Sequence, residues 1–220
     1  MVSEAAKEQG GGAWPLVVRL TALDGTAAHA WARRLSTAAA SRRDLCDAVH
    51  ALAVLHGKHP GIADDALARC VQADGCGWLT EIASGFAAER RVLAGLVVAA
   101  GPLPSTPGQA ASESAVLAQR HALDMLARSD RHGCASGAVA AMLLDWTAVR
   151  RVLDHAGRCF GVPVPPPQLP VETDTAATVA GLGGTPATER AVAFGAQQLL
   201  AQHRGLWSLL EARAEARDRS

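Results

Sequence analysis

The stretch Ala135–Phe160, "ASGAVAAMLLDWTAVRRVLDHAGRCF", decides the fold. At about 100° per residue, Val139, Met142, Trp146, Val149, Leu153, Ala156 and Phe160 recur at alternating steps of three and four. The spacing predicts a long helix with one continuous seam facing a core. Gly133, Gly137 and Ala141 lie four apart and permit close approach of a second helix. Asp145 sits beside the seam, where an ordinary carboxylate pairs with an arginine such as Arg150.

Outward from this helix, the chain is punctuated by caps and breakers. Ser41 with Asp44 three residues on forms a capping-box-like start, and Gly57 with "HPG" ends that helix near His56. Asp64 and Asp65 suit the first turn of a helix over Ile62–Gln72. Another covers Trp78–Ala100. Thr106–Pro107 and Thr185–Pro186 read as N-cap plus Pro at the first helical position, for helices ending near Asp130 and Arg213. Trp14–Leu23 is either a helix from Pro15 or a short extended piece. A helix after "DGT" runs to about Ala39 with Ala28, Trp31 and Leu35 on one face. The sum is an all-α, single-domain bundle of about seven helices, with one long Pro-rich connection. The expected layout is a disordered tail over 1–13, a helical domain over 14–214 with a Pro/Gly-rich linker at 161–185, and a frayed tail over 215–220.

Composition narrows the function classes. Hydrophobic residues make up 49% and charged ones 19%, enough apolar content for a sizeable core. Formal charge is zero, and the arginines at 33, 34, 42 and 43 are soon followed by aspartates, so nucleic-acid binding is not expected. Tyr is absent and aromatics are few, which argues against a mainly β fold. "MVSEAAKEQGGG" lacks a secretory core, and the longest apolar runs are too short to span a bilayer. A cytoplasmic protein without a membrane partner is expected. Cys46, Cys70, Cys76, Cys134 and Cys159 are odd in number with no Cys-x-x-Cys pair. Free, buried or half-buried cysteines are expected, with a bonded pair at Cys70 and Cys76, the closest two, as the alternative.

Polar residues on apolar stripes are the candidate chemistry, because burying them is costly unless they are partnered. Glu89 falls among Ile82, Phe86, Leu93 and Leu96, and His203 among Leu199, Leu206 and Leu210. His121, Asp124 and Asp145 are further members of a candidate internal cluster, with Glu113 on the same face as His121. Such clusters form hydrogen-bond networks, bind metals in bundle cores, or act as acid and base. A lone Glu or His on a stripe is more often a satisfied core residue. No Glu-x-x-His, Gly-x-Ser-x-Gly, Walker loop or dinucleotide fingerprint is present. In "DLCDAVHALAVLHGKHPG" (Asp44–Gly61), Leu45, Val49, Leu52 and His56 take the core side. Asp47 and His50 fall opposite, on a solvated face or against another layer.

Three stretches, "LHGKHPG", "GPLPSTPGQAASES…QRHALDMLARSDRHGC" and "LLDW", resemble an uncharacterised bacterial family of all-helical proteins, classed as a domain of unknown function. The resemblance covers about residues 40–160. It implies a helical fold and brings no activity, cofactor or catalytic residue. The reading is therefore a non-enzymatic binding or interaction module, with self-association through an apolar helix face as one form. The alternative is a bundle-core metal-dependent oxidoreductase, ferritin-like or haem-oxygenase-like, or a small-molecule site, using Glu89 and His203. No cofactor is assigned. A homo-oligomer, a protein partner and a small-molecule ligand all stay open.

Overall fold

The computed structural model describes residues 12–219, and among these there are helices and no strands. Nine α-helices follow in order: α1 Ala13–Asp24, α2 Ala30–Leu35, α3 Arg42–His56, α4 Ile62–Arg69, α5 Cys76–Ala100, α6 Gln109–Ala127, α7 Cys134–Phe160, α8 Glu172–Leu182 and α9 Pro186–Asp218. A 3-10 turn at Thr26–Ala28 links α1 to α2. Two helices come in addition to the expected seven: α1, which settles the choice left open for Trp14–Leu23 in favour of a helix, and α8, which lies inside the Pro/Gly-rich connection.

α7 is the axis of the bundle. Val139, Met142, Trp146, Val149, Leu153 and Ala156 on its seam are all buried, while Phe160 at its end is partly covered, with Arg42 over its ring. Each large side chain on this seam contributes about 1.5–3 kcal/mol by leaving water. α9 makes the most extensive contact with α7. Glycines set their approach. A Cβ on Gly137 would run into the backbone of Val192, and one on Gly195 into the carbonyl of Cys134. Glycine in a helix interior costs about 1 kcal/mol relative to alanine. Here that cost is offset by the packing it permits. Around this pair, α1 lies on α9, α3 and α4 pack on α5, and α6 bridges α3, α4 and α9.

The caps explain most boundaries. Ser41 Oγ accepts from the Asp44 N–H and donates to its carboxylate, starting α3. Thr185 Oγ1 accepts from the Thr188 N–H, with Pro186 at the first helical position of α9. Gly161, at φ +75°, closes α7 as a left-handed C-cap. Thr106 differs from its sequence reading. The chain turns at Gly108 (φ +72°), α6 starts only at Gln109, and the buried Thr106 hydroxyl accepts from Arg213 and Arg217 of α9 instead of capping a helix.

The connection after α7 is docked. Residues 162–171 run extended across α5 and α7, where Gly85 leaves room for the backbone of Gln168 and Gly157 for Val162 and Val164. Arg150 Nη2 donates to the Pro165 carbonyl. α9 continues through Asp218, beyond the end expected near Arg213, because Arg213, Ala214 and Arg217 are still covered by the bundle. Of the expected N-terminal tail, residues 1–11 lie outside the described residues, and Ala13 already begins α1 and is buried.

Cys70 and Cys76 correct the expectation of five free thiols. They are joined by a disulfide that closes the turn between α4 and α5, with their Cα atoms 5.7 Å apart. Cys46 and Cys134 are buried free thiols and Cys159 is exposed.

Candidate functional site

Two polar assemblies stand out, one inside the bundle and one at the floor of a surface cleft. The inner one begins at Asp145 on α7. The stripe position that sets it beside Met142 and Val149 leaves it only 1% exposed. Instead of an arginine, it accepts from the Thr26 N–H (2.6 Å), the Thr26 hydroxyl (2.6 Å) and His203 Nδ1 (2.7 Å). Gly25 is needed beside it, because a Cβ there would press on Asp145 Oδ1 and the Thr21 carbonyl. Trp207, one turn beyond His203 on α9, donates from Nε1 to the Thr26 hydroxyl oxygen (2.8 Å).

His203 passes the array on to α3. Its Nε2 lies 3.0 Å from Nε2 of His56, so one proton sits between the two imidazoles. Burial, the neighbouring His203 and then Arg120 hold the His56 pKa well below 6.5, so its ring is neutral. The His56 ring also meets Trp146 edge to face, with centroids 5.2 Å apart.

Glu89 belongs to the other side of Trp146. Its carboxylate accepts from Trp146 Nε1 (2.8 Å) and from Arg150 Nη1 (2.9 and 3.1 Å), all three residues buried. Glu89 and His203 are thus held in one buried region but by different partners, with Trp146 and His56 between them. Asp124 pairs with Arg120 on its own helix (2.8 Å) and joins His56 only as a wall of a void of about 10 Å³, the size of one water. His121 and Glu113 are exposed on α6, away from the array. Among the described residues, no group of three or more His, Cys, Asp or Glu is arranged to hold a metal ion.

The second assembly joins α3 to the end of α9. Asp47 is 2% exposed and accepts from Arg213 through Nε and Nη2 (2.8 Å each) and from Arg217 Nη1 (2.6 Å). Arg217 Nη2 reaches Asp44 (2.7 Å), and both guanidinium groups donate to the Thr106 hydroxyl oxygen. Burial lowers the Arg217 pKa, but its hydrogen bonds to Asp47 and Asp44 outweigh that and raise it. Asp47 therefore faces another layer, the second of the two placements open from sequence. Arg213 and Arg217 continue the stripe of Leu206 and Leu210 by steps of three and four, and that continuation was the available signal.

Above this cluster, α3, α6 and α9 leave a cleft of about 250 Å³. Its walls are apolar: Ala51 and Val54 from α3, Val116 and Leu117 from α6, Leu209 and Leu210 from α9. Asp47, His50 and Arg213 line its polar end, with Ser112 and Glu113 along the α6 wall. His50 Nε2 lies 2.8 Å from the Gly101 carbonyl oxygen, which fixes the hydrogen on Nε2. Arg213 Nη1 has no hydrogen-bond partner among the described residues, although its other two nitrogens are taken.

A model of a family of unknown function, DUF6975, matches residues 21–218, nearly the whole chain and well beyond the stretches that carried the resemblance. The chain belongs to this family. No curated protein and no solved structure matches it.

Proposed function

We propose that this protein is a binding module whose ligand seats in the cleft between α3, α6 and α9. The observation that carries the reading is the cleft itself, an apolar space of about 250 Å³ ending on a buried guanidinium with one nitrogen unpartnered among the described residues. Small-molecule sites combine these parts: apolar walls for affinity and a few fixed polar groups for orientation. Val54 and Leu117, 36% and 53% exposed, extend the apolar surface to the rim.

The reading built on Glu89 and His203 has less support. Both oxygens of Glu89 are taken by Arg150 and Trp146, and both nitrogens of His203 by Asp145 and His56. The adjoining void accommodates one water. That array acts as a hydrogen-bond network tying α3, α7, α9 and the turn after α1 together.

The test is a screen of small apolar compounds by protein-observed NMR, with Ala51→Phe as the variant that fills the cleft. Shifts should cluster on Ala51, Val54, Val116 and Leu117 and vanish in the variant. Binders that perturb other residues, or that bind Ala51→Phe equally well, would overturn the reading.

A further inference from the structure

The cleft's polar end carries more information than its walls, and what it says about the ligand rests on the reading of the cleft as a binding site. The charges beneath it already balance. Arg213 and Arg217 face Asp47 and Asp44, and Asp47 takes three of their nitrogens. An anionic head would add a charge to a neutral cluster and would lie along the wall that holds Glu113. A cationic head would be set against Arg213. An isolated charge moved into such a site is disfavoured unless it gains a partner.

What the polar end offers is one donor and one acceptor. The donor is Arg213 Nη1, unpartnered among the described residues. The acceptor is Nδ1 of His50, because the Gly101 carbonyl fixes the ring hydrogen on Nε2. Nδ1 likewise has no partner among the described residues. The donor comes from α9 and the acceptor from α3: Asp47, which holds Arg213 through Nε and Nη2, is three residues before His50 on α3, so the guanidinium is fixed beside the His50 position.

We propose that the cleft takes a small uncharged molecule with an apolar body and an amide-like head. Its carbonyl accepts from Arg213 Nη1 and its N–H donates to His50 Nδ1. The cavity of about 250 Å³ is below the roughly 300–1,000 Å³ of sites for drug-sized ligands, so the body is about one ring or a short alkyl chain.

The experiment uses four probes with one body: 4-phenylbutanamide, 4-phenylbutyrate, 4-phenylbutylamine and butylbenzene. Each is titrated into the full chain, into Ala51→Phe and into His50→Leu, with circular dichroism to confirm the fold. The amide should bind about ten-fold tighter than each of the other three. Ala51→Phe should abolish binding of all four. His50→Leu should remove most of the amide's advantage over butylbenzene. Tighter binding of the carboxylate or the amine, or equal binding of all four, overturns the head-group assignment while cleft binding stands if Ala51→Phe still blocks it. No binding by any probe, or binding that Ala51→Phe leaves intact, overturns both the assignment and the binding-module reading.

Discussion

The Nε2 atoms of His56 and His203 lie 3.0 Å apart inside the bundle, and His203 Nδ1 faces Asp145 at 2.7 Å. One proton lies between the two rings, and a second on His56 would put a charge inside the bundle beside His203. Burial, His203 and Arg120 depress its folded pKa below 6.5. Below about pH 6.5, the unfolded chain therefore binds a proton that the folded chain refuses. The contribution of His56 to stability is complete above that pH. It is lost as the pH falls, at up to about 1.4 kcal/mol per unit. Urea midpoints should drop between about pH 8 and pH 5, and drop less in His56→Gln. Parallel curves for the two proteins would contradict this assignment.

Asp145 is the hub of the same array. It satisfies three donors, the Thr26 N–H and hydroxyl and His203 Nδ1. Asn has one acceptor oxygen and presents N–H groups where the structure needs lone pairs. Asp145→Asn should destabilise the protein by about 3–5 kcal/mol, as for breaking a buried charged pair. Thr26→Val, which removes only the hydroxyl between Asp145 and Trp207, should cost about 1–2 kcal/mol. Denaturant midpoints check the ranking, and equal effects of the two changes would refute it.

The helical architecture was legible because periodicity, caps and breakers are local. The seam of α7 and the starts of α3 and α9 are written within a few residues of where they act. Glu89 and His203 could be flagged as buried because each interrupts an apolar stripe, whereas Asp145, beside the seam of α7, read as a boundary carboxylate and is buried as fully as they are. Their partners could not be named, since those come from other helices: Arg150 for Glu89, the Thr26 turn for Asp145 and the end of α3 for His203. Thr106 shows where local grammar misleads. Thr-Pro has the same capping signature at 106 and 185, but only at 106 does a glycine at positive φ follow within two residues and delay the helix. The cleft was invisible for the same reason as the pairings, because its walls come from three helices far apart in sequence.

The Cys70–Cys76 bond ties a turn that holds several elements together. Between the cysteines, Gln72 donates to the Leu182 carbonyl at the end of α8 and accepts from Ser136 on α7. A loop with cysteines six apart is worth roughly 2 kcal/mol on the chain-entropy account. Cys70→Ser with Cys76→Ser should lower stability by about that amount, and a reductant should do the same to the native chain. Thiol titration gives an independent reading. Cys159 should react in the folded protein, Cys46 and Cys134 only after unfolding, and the remaining two only after reduction. Five reactive thiols in the unfolded, unreduced protein would rule the bond out.

Arg150 links the buried Glu89 to the Pro-rich strap, donating to the carboxylate and to the Pro165 carbonyl. Arg150→Met leaves a buried carboxylate with only Trp146 as donor, so it should cost about 3–5 kcal/mol. Adding Glu89→Leu removes the orphaned charge and should recover much of the loss, leaving about 1–3 kcal/mol for the unpaired Trp146 N–H. The strap should not recover, because its bond depends on the guanidinium and not on the carboxylate. Both variants should be cleaved within residues 162–171 faster than the native chain in limited proteolysis. A double variant as unstable as the sum of the single changes would show that the pair is not coupled. Cleavage at the native rate in the double variant would show that the strap is held by packing against Gly85 and Gly157 alone.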